Sequence, residues 1–250
     1  MTGIVAIASR TTSLLFVLLV AAMAALFAWA VLVKPGQGPL ADRRGRWVAV
    51  TGLILVAYLA VPGVLAARGL LDRYNPLPAP AMVMIGALSL ATVILAYSPL
   101  GTRLVAAIPM TGLVGYQVFR VPVEFLLHRL HVEGVVPVQM TYLGRNLDIL
   151  TGITAGILAL YLRTGRRPPR LVLAWNLMGL ALLVNIMTIA ILSTPVSFRQ
   201  FTDSPPHILP STFPFVWLPT WLVQAALFGH LLVIRKLART RGHAPATASP

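Results

Sequence analysis

The chain has no cysteine, which removes disulfides, thiol nucleophiles and thiolate metal ligands from consideration. It has six acidic residues in 250, and charged residues make up 10% of the whole, where a soluble domain carries about 25%. So few charges cannot cover a water-facing surface. Lysine is nearly absent. Lys34 and Lys236 both lie at the ends of apolar runs, so neither offers a mid-membrane amine for a retinal Schiff base. A bis-histidine haem is not expected either, because His230 has no histidine partner at its apparent depth.

What is present is apolar. Hydrophobic residues make up 58% of the chain and the mean hydropathy is +0.84. Runs near twenty residues are long enough to cross a hydrocarbon core of about 30 Å as helices. The reading is an all-α polytopic membrane protein, a seven-helix bundle with spans at 12–33, 47–67, 79–98, 104–131, 147–163, 171–193 and 213–236. Ala28-Trp29-Ala30 resembles a signal-cleavage site. The run before it exceeds the roughly 7–15 residues of a signal core, so the first span is read as retained. Residues 1–236 form one transmembrane domain, and 237–250, ending in GHAPATASP, read as a disordered cytoplasmic tail.

The formal net charge of +14 reflects topology more than nucleic acid, since no nucleic-acid module is recognisable. Basic residues concentrate in the loops 34–46, 99–103 and 163–170 and after residue 234, all on one face if the number of spans is odd. The positive-inside rule then gives N-terminus out and C-terminus in. The expected location is a cell membrane, in a bacterium the inner one, with the lipid bilayer as the surrounding partner.

Against this background the segment RVPVEFLLHRLH, residues 120–131, is unusual. Gln117, Arg120, Glu124, His128 and His131 fall at offsets of 0, 3, 7, 11 and 14, one face of a helix. A charge at the bilayer centre costs about 2.5–3.5 kcal/mol, so this stripe should face the bundle interior. Arg120 and Glu124 are spaced to pair with each other. Pro122 between them predicts a kink. Counting from Leu104 on the cytoplasmic side puts Arg120 roughly 24 Å up, in the outer half of the membrane.

Other polar residues gather on the same outer side. The link between spans four and five carries Arg145, Asn146 and Asp148, and Gly152 and Gly156 behind them form a GxxxG packing pattern. The link between spans six and seven, SFRQFTDSPPHILPSTFPF, carries Arg199, Asp203 and His207 among prolines and suits a cap over the bundle mouth.

Three functions fit. The first is an outward-facing polar pocket, formed by Gln117, Arg120, Glu124, Arg145, Asn146, Asp148 and Arg199, that binds or transports a small anionic or amphiphilic ligand such as a lipid headgroup; arginine suits phosphate and carboxylate. The second is a zinc-dependent membrane hydrolase. Glu124, His128 and His131 make an E-x3-H-x2-H pattern on one helical face, and Asp148 or His207 could complete a site; zinc with three protein ligands and an open water position is the chemistry this would support. The third is a structural or assembly protein without a ligand.

Overall fold

The computed structural model describes residues 7–32, 44–75, 77–166, 168–202 and 204–242. Every regular element among them is helical. The helices are α1 (Arg10–Leu32), α2 (Arg44–Ala67), α3 (Pro80–Tyr97), α4 (Pro99–Ala107), α5 (Met110–Gly115), α6 (Arg120–Val132), α7 (Ile149–Arg163), α8 (Pro169–Ser193) and α9 (Val223–Gly242). Five helices are long and apolar enough to cross a membrane, and a sixth crossing arises if a bent pair counts as one. The helices α1, α2 and α3 leave most of their apolar side chains unburied, as lipid-facing helices do. This is the architecture of a multi-pass helical membrane protein.

The expected fourth span, 104–131, is not one helix. The chain turns through 108° between α4 and the helix that follows. The cause is local. Ile108 precedes Pro109 and takes the extended backbone that the residue before a proline favours, with φ −90° and ψ 125°, which ends α4. A second irregularity follows, a 3-10 turn over Tyr116–Phe119 that leads into α6. The irregularity expected from Pro122 falls in this 3-10 turn, which contains Val118, the residue four before the proline. Pro122 is the third residue of α6, where a missing N–H costs little because first-turn donors have no partner within their own helix.

The first and sixth helices are tied at one end. The Glu133 carboxylate accepts from the Ser9 amide and hydroxyl, both at 2.8 Å, and from the Thr12 hydroxyl at 2.6 Å. Partial burial acts to raise the Glu133 pKa, but the hydrogen bonds from Thr12, Ser9 and Arg129 outweigh it and hold the carboxyl below its ordinary range.

The last helix is the hub, packing on α3, α4, α5 and α8. It starts with a wide π turn over Leu218–Leu222, where Pro219 interrupts the ladder and the Gln224 side chain donates to the Pro219 carbonyl at 3.0 Å. At its far end, Lys236 donates to the carbonyls of Val105 and Ile108 at 2.6 and 2.7 Å, and Arg235 donates to Ala96 and to the Thr102 hydroxyl. The helix continues to Gly242, so the first residues of the expected tail are ordered helix; residues 243–250 lie outside the described part.

Glycines set the closest approaches. A Cβ on Gly179 of α8 would run into the His230 ring and the Thr151 methyl, and one on Gly152 of α7 would press on Val121. Of the GxxxG pair, Gly152 therefore serves close packing, whereas a Cβ on Gly156 would meet only Val118, at an ordinary 3.5 Å. Gly86 of α3 has nothing within 4 Å of where its Cβ would stand. We expect Gly179→Ala to lower stability by about 1–3 kcal/mol through overpacking, although alanine is the better helix former. Gly86→Ala should be neutral or stabilising. Thermal melts of the two variants beside the parent check this, and a Gly179→Ala protein as stable as the parent would mean the contact is soft.

Candidate functional site

The site is built where the link between α6 and α7 descends into the bundle. Glu124 lies nine residues, about 14 Å, inside the end of α6 at Glu133. Asn146 nevertheless reaches it, its side-chain amide donating to both carboxylate oxygens at 2.7 and 2.8 Å and to the Met140 carbonyl at 3.0 Å. The Asn146 side-chain oxygen in turn accepts from the Asp148 amide at 3.1 Å, fixing the turn that begins α7.

Arg120 pairs with Asp148, not with Glu124. Its Nε donates to Asp148 Oδ2 at 2.6 Å, and its Nη2 to Oδ1, a bidentate fork. The i, i+4 pair expected within α6 does not form, because Asp148 meets the planar guanidinium with both oxygens. Glu124 makes no ion pair among the described residues. Arg120 is 2% exposed and Glu124 1%.

A third donor of Arg120, Nη1, stands 3.0 Å from His230 Nε2 on α9. Guanidinium nitrogens only donate, so Nε2 accepts and the ring proton sits on Nδ1, which donates to Asn176 Oδ1 at 2.8 Å. The sequence reading left His230 without a histidine partner at its depth and put Arg120 about 24 Å above Leu104. That count started at Leu104, but α4 turns away, and the rise toward Arg120 begins only at Met110. From there Arg120 is about 15 Å along, near the middle of the bundle. The polar cluster therefore reaches His230 on α9, which the outer-face group expected from the sequence did not include.

Beside the cluster lies a cavity of about 90 Å³. Arg120, Glu124 and Asp148 supply its polar end. Its walls are apolar side chains from four helices, among them Met82 and Ile85 of α3, Val123 and Leu127 of α6, Met187 of α8 and Leu222 at the π turn. Along α8 it runs from Leu183 to Thr194, about 16 Å. The link between α8 and α9 closes the other end with His207 and Pro210, joined there by Tyr74. That link is pinned: Tyr74 shares a 2.6 Å hydrogen bond with Ser211, Ser204 donates to Gln139 at 3.2 Å, and Trp217 donates to the Leu59 carbonyl at 2.8 Å. His207 is 2% exposed and its Nδ1 has no partner. Burial lowers its pKa to about 4.

The cavity wall is thin on one side. The helices α3 and α8 both pack on α9 but not closely on each other. Met82, Ile85 and Met187 are part-exposed there and Ile191 is 40% exposed.

The structure brings together Arg120, Glu124, Asn146 and Asp148, with Gln117 one turn below, where its side-chain amide donates to the Ala226 carbonyl at 3.0 Å. It does not bring in Arg145 or Arg199. Arg145 is exposed, with its guanidinium over the Phe201 ring. Arg199 holds the carbonyls of Phe201 and Ser204 in its own loop. His128 faces Tyr142, with ring centroids 5.0 Å apart, and His131 Nδ1 stands 2.9 Å from the Val136 carbonyl. Neither stands with His207 or Glu124 as a ligand set. Among the described residues no three His, Asp or Glu side chains are grouped to hold a metal ion. Asp203 lies outside the described residues.

Sequence reasoning missed Asn176 and gave His230 no role. One signal was available: Asn176, Gly179, Leu183 and Ile186 fall on one face of α8, and a glycine one turn from an asparagine marks a close approach.

Among known domain families, one described as a domain of unknown function (DUF8737) matches residues 77–238. No curated protein and no solved structure matches the chain.

Proposed function

The chain belongs to the DUF8737 family, whose matched region runs from before α3 into α9 and holds the whole polar cluster, and from that geometry we propose a membrane protein that binds an amphiphile inside its bundle. The observation that carries this is the cavity itself: a narrow apolar channel ending on buried, hydrogen-bonded charges. Small-molecule sites are typically apolar with a few convergent polar groups. The walls match an alkyl chain in character, a polar group matches the end at Arg120, Glu124 and Asp148, and at about 90 Å³ the channel must widen to admit a long chain. The thin wall between α3 and α8 offers a route from the bilayer. A metal-dependent hydrolase has less support, because Glu124, His128, His131 and His207 do not converge.

The topology that goes with this reading has seven crossings. The bent pair α4–α6 supplies one, and the 15-residue α7 supplies another. The N-terminus is outside and the basic end of α9 is cytoplasmic, which places the His207 end of the cavity toward the outside.

The test is to fill the channel. Met187→Trp should leave the protein folded and monodisperse while reducing co-purified amphiphile, read by native mass spectrometry after gentle detergent release, by tenfold or more. Stoichiometric zinc without any bound amphiphile would favour the hydrolase instead. Neither ligand, in parent and variant alike, would favour a purely structural role.

A further inference from the structure

The charge arithmetic at the polar end of the cavity narrows the ligand class, on the premise that the cavity binds an amphiphile at all. We infer that the ligand carries a hydrogen-bond-donating, non-anionic head, a primary amine in the clearest case, and places it against Glu124.

Three charged side chains line that end, Arg120, Asp148 and Glu124. The only cation among them is spent. Three of its nitrogens are engaged, two by the Asp148 carboxylate and one by His230. A phosphate or carboxylate placed here would have to compete with Asp148 for a guanidinium already held in a bidentate fork, with a second carboxylate beside it. Like charges in a medium of low dielectric repel strongly. The sequence-level preference for an anion, based on the number of arginines nearby, does not survive this geometry, since Arg145 and Arg199 are engaged elsewhere.

Glu124 has the opposite character. It is 1% exposed, lines the cavity, and among the described residues its only side-chain donor is the Asn146 amide. A carboxylate has about four acceptor positions, so two remain for a ligand. No cation of the described chain pairs with it, and an ammonium group would satisfy both its charge and its lone pairs. His207 adds an independent polar contact at the opposite end of the channel, where its buried Nδ1 lacks a partner. That end suits a hydroxyl or amide further along the same molecule, which again is not an anionic group.

The experiment uses the full chain in a nonionic detergent or nanodisc, with four probes of equal chain length: dodecylamine, dodecanol, dodecanoate and dodecyl phosphate. Binding is read by native mass spectrometry and by competition against a bound fluorescent alkyl probe. Dodecylamine should bind at least tenfold more tightly than either anion. Glu124→Gln keeps an acceptor for Asn146, so it should fold. It should weaken dodecylamine at least tenfold and change dodecanol less than threefold. Dodecanoate or dodecyl phosphate binding as tightly as the amine would overturn the inference while leaving amphiphile binding intact. The same holds if Glu124→Gln leaves amine affinity unchanged. Binding of none of the four, with Met187→Trp indistinguishable from the parent, would overturn both.

Discussion

Asp148→Ala is expected to lower stability by about 3–5 kcal/mol, the cost of leaving one member of a buried ion pair without its partner. Arg120 is 2% exposed, and Asp148 supplies both oxygens of its fork. Without them the guanidinium keeps only His230 as a partner among the described residues. An unpaired charge buried inside such a bundle is more than it tolerates easily, since total stabilities are only about 5–15 kcal/mol. Glu124→Ala should cost less, about 1–3 kcal/mol, because what it strands is a neutral amide, that of Asn146. The ranking separates this structure from the i, i+4 pairing suggested by the sequence, which assigns the larger loss to Glu124. A double variant, Arg120→Met with Asp148→Ala, should recover much of the single-site loss. Thermal melts and the monodisperse fraction after extraction measure all four proteins. An Asp148→Ala protein that melts with the parent would show that Arg120 is not held as described.

The second large effect is a dependence on pH. His207 lies in the α8–α9 link, and burial holds its pKa at about 4 against an ordinary value of 6.5. Above pH 6.5 neither the folded nor the unfolded chain binds a proton at this ring, so the group contributes no dependence. Between pH 6.5 and about 4 the unfolded chain takes up a proton that the folded protein refuses. Stability therefore falls as the pH falls through that window, by roughly 3 kcal/mol in all, and levels off below it. His207→Leu should remove this component while leaving the contribution of Glu133 in place. Melting temperatures of both proteins across the window provide the measurement. Parallel slopes would mean that the ring is not sealed from water, and that the α8–α9 link does not close the channel.

The sequence revealed the class of the protein and much of the site's membership, for physical reasons. Apolar runs of membrane length are an unambiguous signal, and ionisable residues are so scarce here that Arg120, Glu124, Asn146 and Asp148 stand out. Who pairs with whom was not legible. Helical spacing favoured Glu124 for Arg120, but a partner from a descending link can offer better bidentate geometry than one on the same helix. Depth was illegible for a different reason. The Ile108–Pro109 break lies within an apolar run, and composition alone cannot tell a straight helix from one bent by 108°. The same bend hid the role of His230, since a count along a straight helix from Leu104 does not bring Arg120 to it. Arg145 and Arg199 show the converse: nearness in sequence to polar neighbours does not bring a side chain into the cavity.

The helix that fastens the bundle is also the one that follows all the others along the chain. α3, α4, α5 and α8 all lean on α9, and Lys236 and Arg235 lock the elbow after α4 from its far end. Without α9 those helices lose the surface they share, and the Arg120–Asp148 pair loses the His230 ring that covers it. A chain cut before residue 223 should therefore lose its compact fold in the bilayer, read as protease sensitivity beside the parent, whatever its helices do individually.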